Sequence, residues 1–102
     1  MRLTNRIEET KHKIKITKHA LERFLEFKID IEAFENNLLD KFSVIEEYLD
    51  DPRGASALLL LFINTTSVHA VVAPHFDELV IITVYRPDPN QWEDDYSRRK
   101  SI

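Results

Sequence analysis

The side chains of this sequence best suited to acid–base chemistry are its four histidines, at positions 12, 19, 69 and 75, together with its three tyrosines. His69 interrupts the apolar run 68–73, and Thr83 and Tyr85 interrupt the next run, 79–85. An imidazole with an ordinary pKa of about 6.5 takes or gives a proton at neutral pH. A phenol beside it can donate to a developing negative charge. His69 and Tyr85 are therefore the candidate catalytic pair, with Thr83 as a supporting residue. The same residues also suit a structural role, as half-buried sheet fillers with a satisfied hydrogen bond.

A second group lies earlier in the chain. His19 and Arg23, four residues apart, fall on one face of an expected helix with Glu22 and Glu26 as neighbours. A guanidinium binds phosphate oxygens bidentately, so His19, Arg23 and Arg86, the last adjacent to Tyr85, are candidate ligands for an anion or RNA. The plainer reading is a surface helix carrying weak ion pairs. Trp92 and Tyr96 suit a lid on the core better than a base-stacking platform, because no basic residues interleave them. No metal and no cofactor is expected. The histidines lack the spacing of a zinc site, and there is no cysteine to supply a thiolate, a disulfide or a thiol nucleophile. A single glycine excludes the phosphate-cradling loops of nucleotide-binding folds.

The geometry that unites His69, Thr83 and Tyr85 depends on one turn. If residues 74–78 all form the loop, Ala73 pairs with Leu79, His69 lies opposite Thr83, and Tyr85 is its diagonal neighbour on the same face. A loop one residue shorter sends His69 to the opposite face from Thr83.

The expected elements are α+β. A short strand at 13–16 leads to a helix capped by Thr17, with Leu21, Phe24, Leu25 and Ile29 as its buried stripe. Asp30 caps a second helix, 31–40, with Ile31, Phe34 and Leu38 buried and Glu32 and Glu35 at its positive end. These form an N-terminal helical hairpin. A strand at 43–48, a type I turn at 51–54, a central strand at 57–63 and a β-hairpin of 68–73 with 79–85 complete a twisted, mainly antiparallel sheet of four to five strands. Pro87 and Pro89 end the sheet, and a short C-terminal helix bearing Trp92 and Tyr96 is expected after them.

The chain fits one domain, 1–102, with its compact part at about 13–100. Its net charge of −4 is uneven: residues 1–28 carry eight Lys/Arg against four Asp/Glu, and residues 29–52 carry one against eight. Such a distribution lacks the concentrated basic face of a duplex nucleic-acid binder. The uncharged stretch 55–73 is broken by polar residues 64–67, so two strands explain it better than a membrane span. The polar beginning has no signal-peptide core, which points to the cytoplasm.

Several short segments, in order, resemble a known family. They are His19-Ala20-Leu21-Glu22-Arg23, Val44-Ile45-Glu46 with Tyr48, Pro52-Arg53 ahead of an apolar strand, His69 with Val71-Val72, Ile81-Ile82-Thr83-Val84-Tyr85, and Trp92. Over about residues 14–100 the chain is similar to the domain-of-unknown-function 4258 family. The resemblance implies a relation to the small RelE/ParE toxins, whose fold packs a helical hairpin on a twisted antiparallel sheet. It also implies that His19, Arg23, His69, Thr83 and Tyr85 are signature positions. Phe27-Lys28-Ile29 stands where the family often has Arg-Gly before the isoleucine, and residues 64–67 replace a glycine turn. The functional expectation is a toxin-like, metal-independent ribonuclease of a toxin–antitoxin system, with RNA as substrate and an antitoxin or another protein as partner. The alternative is a noncatalytic protein-interaction module of the same fold, using its edge strands and the acidic stretch 30–51.

Overall fold

A computed structural model of the chain describes residues 2–100. The elements run α1 (Leu3–Thr10), β1 (Ile14–Ile16), α2 (Lys18–Glu26), α3 (Ile31–Asp40), β2 (Ser43–Tyr48), β3 (Ser56–Ile63), β4 (Thr66–His75), β5 (Glu78–Tyr85), β6 (Trp92–Glu93) and β7 (Arg98–Arg99). The first five strands form one sheet in the order β1-β5-β4-β3-β2, and β6 with β7 forms a separate small sheet. Only β1 pairs in parallel, with β5; the other neighbours are antiparallel. Among the described residues no helix is long and apolar enough to cross a membrane.

The two central helices begin where their caps dictate. The Thr17 hydroxyl accepts from the Ala20 N–H at 3.0 Å and donates to the Ile82 carbonyl at 3.1 Å, which ties the start of α2 to β5. The Asp30 carboxylate accepts from the Ala33 N–H at 2.8 Å. At the other end of α2, the Ile29 N–H returns to the Phe24 carbonyl and the Lys28 N–H to that of Leu25. This is a Schellman ending, and it places Lys28 at φ 55°, where glycine is the favoured residue.

The expected buried stripe of α2 is corrected. Ala20 and Phe24 face the core, whereas Leu21 is 43% and Leu25 71% exposed. The small side chain of Ala20 lets the helix lie close on β5, and the Phe24 ring meets Phe34 of α3 edge-on with centroids 5.1 Å apart. Helix α1 is an element the sequence reading left unassigned. Leu3, Ile7 and Thr10 are its buried face, and Lys11 just beyond it donates to the Leu39 carbonyl at 3.0 Å. Two apolar residues among eight gave little periodic signal.

Strand β3 is buried on both faces, as its uniform apolarity requires. Ala57, Leu59, Leu61 and Ile63 join Val68, Ala70, Val72 and the helices in the main core. Leu58 and Leu60, on the opposite face by strand alternation, are also buried, but outside that core. On that face Trp92 and the Tyr96 carbonyl sit against His69, which pairs with Leu60, and here the expected C-terminal helix is not found. Residues 92–99 form a small hairpin instead, reversed through Asp94, Asp95 and Tyr96, all at positive φ. Trp92, 4% exposed, plugs the second face of the sheet and takes the place of a helical docking stripe.

The register at His69 also differs from the expected one. The loop between β4 and β5 is Phe76-Asp77 alone, since His75 pairs with Glu78. A bulge opposite the Val71/Val72 step then inserts Ile82 and shifts the register. His69 consequently faces Tyr85, and Thr83 faces Val71 as the diagonal neighbour.

Candidate functional site

On the second face of the sheet, β4, β5, β2 and the hairpin of residues 92–99 converge on one polar network. His69 at its centre is 0% exposed. Its Nε2 lies 2.8 Å from the Tyr96 carbonyl. A carbonyl only accepts, so Nε2 carries the hydrogen and Nδ1 accepts from the Tyr85 hydroxyl at 3.2 Å. Trp92 meets the imidazole edge-on with centroids 4.4 Å apart. Burial pushes the His69 pKa below its ordinary value, against the opposing pull of the Tyr96 carbonyl. The ring is thus a neutral donor–acceptor with both nitrogens engaged. Burial likewise raises the Tyr85 pKa.

Beside it, Glu46 of β2 receives a two-point contact from Arg99 of β7, Nε to Oε2 at 2.6 Å and Nη2 to Oε1 at 3.1 Å. The Tyr48 hydroxyl, two residues along the same strand face, donates to the same carboxylate. Arg99 holds the Glu46 carboxyl below the usual carboxylate range. Burial and the neighbouring carboxylate push Tyr48 up to about 12. The Arg99 guanidinium also lies over the Trp92 ring, 4.7 Å from its centroid. Together these contacts fasten the hairpin to the sheet: Trp92 fills the apolar gap, Arg99 clamps Glu46, and Tyr96 seals His69.

The remaining candidate residues lie elsewhere. Arg86 turns away to the end of α2, where its Nε donates to the Phe27 carbonyl at 3.1 Å and its Nη2 to the Lys28 carbonyl at 3.4 Å. It acts there as a helix C-cap. Arg23 pairs with Glu26 at 2.9 Å, and its buried Nε has no partner among the described residues. His19 is exposed on α2, and Thr83 is half-buried on the His69 face. Of the seven candidates, the structure brings together His69, Tyr85 and Trp92, with Thr83 alongside; His19, Arg23 and Arg86 make no hydrogen bond to them. Among the described residues, no three His, Asp or Glu side chains are grouped to hold a metal ion.

Sequence reasoning named Tyr96 only as part of a lid with Trp92, not its carbonyl as the partner of His69, and gave Glu46, Tyr48 and Arg99 no place in the site. Glu46 and Tyr48 carried a signal, since residues two apart on a strand share a face. Arg99 and the Tyr96 carbonyl carried none, because their placement follows from a turn that lacks the glycine its left-handed backbone favours.

A family model described as domain of unknown function (DUF4258) matches residues 16–86. The chain belongs to that family. The DUF4258 span includes Glu46, Tyr48, His69, Thr83 and Tyr85 and ends at Arg86, so Trp92, Tyr96 and Arg99 fall outside it. No curated protein and no solved structure gives a significant match.

Proposed function

We infer that this DUF4258 domain is a noncatalytic protein-interaction module with a RelE/ParE-like arrangement of helices on one face of a mainly antiparallel sheet. The observation that carries this reading is the enclosure of His69, whose two nitrogens are satisfied and which has no solvent access. A general base or acid must reach the proton it transfers. Arg86, a cation a ribonuclease would use, is committed to capping α2. The acidic stretch 29–52, with eight carboxylates against one lysine, supports a basic partner more readily than RNA.

A second reading, a toxin-like metal-independent ribonuclease, is favoured by one feature. The groups that seal His69 from the hairpin side come from residues 92–99, beyond the family span. With that hairpin lifted, His69 would take the proton of an RNA 2′-hydroxyl as its oxygen attacks the adjacent phosphorus, or give one to the departing 5′-oxygen, with Tyr85 donating to a phosphate oxygen. The test is induced expression of the wild-type chain, of Trp92→Ala with Arg99→Ala, and of that double variant carrying His69→Gln, scored for growth and RNA integrity. Intact RNA and normal growth throughout support the interaction module. RNA cleavage that depends on His69 replaces it with the nuclease.

A further inference from the structure

The segment that follows β5 keeps its backbone hydrogen bonds to itself. Pro87 is buried, and residues 88–91 beyond it are exposed. The Gln91 and Trp92 N–H groups return to the Asp88 carbonyl, the Ser97 N–H to that of Asp94, and the Lys100 N–H to that of Gln91. Arg98 pairs with Glu93 and Asp94 within the same segment. Among the described residues, no backbone-to-backbone hydrogen bond joins residues 88–100 to the five-stranded sheet. The segment is held instead by the Trp92 ring against His69, by the His69 Nε2–H on the Tyr96 carbonyl, and by Arg99 on Glu46. It can therefore leave the sheet as a unit, with its own hydrogen bonds intact.

Two further features favour release. Asp94, Asp95 and Tyr96 hold left-handed backbone in succession, at φ 52°, 54° and 70°, a conformation that L-residues tolerate at single positions and not in a run. The Arg99 side chain is 60% exposed, so its ion pair is a weak clamp. Release leaves a seat with defined demands. Glu46, 24% exposed, loses both guanidinium contacts and keeps the Tyr48 hydroxyl. The His69 Nε2–H loses its acceptor, and the imidazole loses the indole packed on it. A half-buried carboxylate, a buried N–H and a ring-sized gap call for a planar two-point donor, a carbonyl and an aromatic side chain.

We propose that residues 88–100 are a displaceable plug, and that the seat they cover is the docking site for a β-hairpin of another protein that sets an aromatic residue opposite an arginine. This rests on the interaction-module reading. The occupant is defined by what the seat already holds. Trp92 and Arg99 face each other across β6 and β7, so indole and guanidinium reach the sheet from one face of one hairpin. Lysine in place of the arginine would meet Glu46 at one point only. Glu46 and His69 lie inside the DUF4258 match and the plug lies outside it, so the seat is the domain's and its cover is an addition. An incoming hairpin competes with a tethered one, and its apparent affinity is its affinity for the open seat reduced by the fraction of chains that are open.

The probes are two fluorescent cyclic hairpins, because a free hairpin is marginal in water. The first is residues 91–100 closed by Gly-Gly; the second has an unrelated sequence and keeps only the facing tryptophan and arginine. Each is titrated by anisotropy into the full chain, wild type and Arg99→Ala, the latter lacking the clamp but keeping Glu46 and His69. Both hairpins should bind Arg99→Ala, about tenfold tighter than wild type because its seat is open more often. Arg99→Lys or Trp92→Ala in the first hairpin, or Glu46→Gln added to the Arg99→Ala chain, should each weaken binding about tenfold or more. No binding to Arg99→Ala up to about 1 mM, equal affinity for wild type and Arg99→Ala, or binding indifferent to Glu46→Gln overturns the proposal. So does binding of the first hairpin alone, since the seat then fits only its own plug. A wild-type dimer in sedimentation that Arg99→Ala abolishes also overturns it and makes a second copy's hairpin the occupant. Failure here with RNA left intact in the expression test removes this seat and leaves the module reading standing.

Discussion

Replacing Tyr85 by phenylalanine deletes one oxygen, and its cost follows from the tautomer that Tyr96 imposes on His69. Because Nε2 donates to the Tyr96 carbonyl, Nδ1 is an acceptor, and the Tyr85 hydroxyl is its donor. Without that hydroxyl a buried acceptor loses its bond, which costs about 1–3 kcal/mol. The 3.2 Å separation is at the long end for an O–H donor, and Tyr85 is only half-buried, so the lower part of that range applies, about 1–2 kcal/mol. For a domain of this size that lowers Tm by about 5–12 °C. Urea unfolding at about pH 7.5, in the wild-type and His69→Leu backgrounds, isolates the contact. In His69→Leu the acceptor is gone, so Tyr85→Phe should cost less than about 0.5 kcal/mol there, giving a coupling of about 1 kcal/mol. An equal loss in both backgrounds would refute the assigned tautomer and the lock built on it.

The histidine also makes stability depend on pH. Its folded pKa lies below 6.5, so between the two values the unfolded chain binds more protons. The stability His69 contributes is therefore complete above about pH 7 and is lost as pH falls through 6.5 toward the folded value; urea midpoints should fall accordingly, with a shallower fall in His69→Leu. Lys28 and Thr65 hold left-handed backbone, at φ 55° and 64°, so Lys28→Gly and Thr65→Gly should each raise stability by about 0.5–1 kcal/mol in thermal melts. Arg99→Ala removes a partly exposed ion pair and a cation–π contact, together about 1–1.5 kcal/mol, and hydrogen exchange should show residues 92–99 opening about tenfold more often with little change in the global transition. Phe24→Ala should cost about 3–5 kcal/mol, whereas Leu25→Gln should stay within about 0.5 kcal/mol, as chemical denaturation will show.

The parts of this fold governed by local rules were legible. Thr17 and Asp30 announced their helices, and the uniform apolarity of residues 57–63 announced a strand buried on both faces. Tertiary packing decided the rest. The choice between Ala20 and Leu21 as the buried position on α2 depends on how closely the helix approaches β5, which a helical period alone does not specify. The Ile82 bulge changed the partner of His69 from Thr83 to Tyr85, and no residue type at that position signals an inserted residue. The C-terminal stretch carried helix-like charges at both ends, yet Trp92 gains more from the exposed second face of the sheet than a short helix would supply. The polar network was half legible for the same reason: His69 and Tyr85 break an apolar pattern, while Arg99 is one of three adjacent cations and looks like any solvated charge.

The pairing of β1 with β5 has a consequence for how the chain reaches its structure. Ile14 and Ile16 hydrogen-bond alongside Leu79 and Ile81, and the cap of α2 closes on the Ile82 carbonyl. As the polypeptide leaves the ribosome, β1 therefore has no native strand partner, and the cap of α2 no sheet carbonyl to close on, until residues 79–82 have emerged. Closure over so long a separation is entropically slow. During that wait the alternating segment Lys13-Ile14-Lys15-Ile16 is an unpaired strand, and its two lysines provide the charge repulsion that keeps nascent copies from joining.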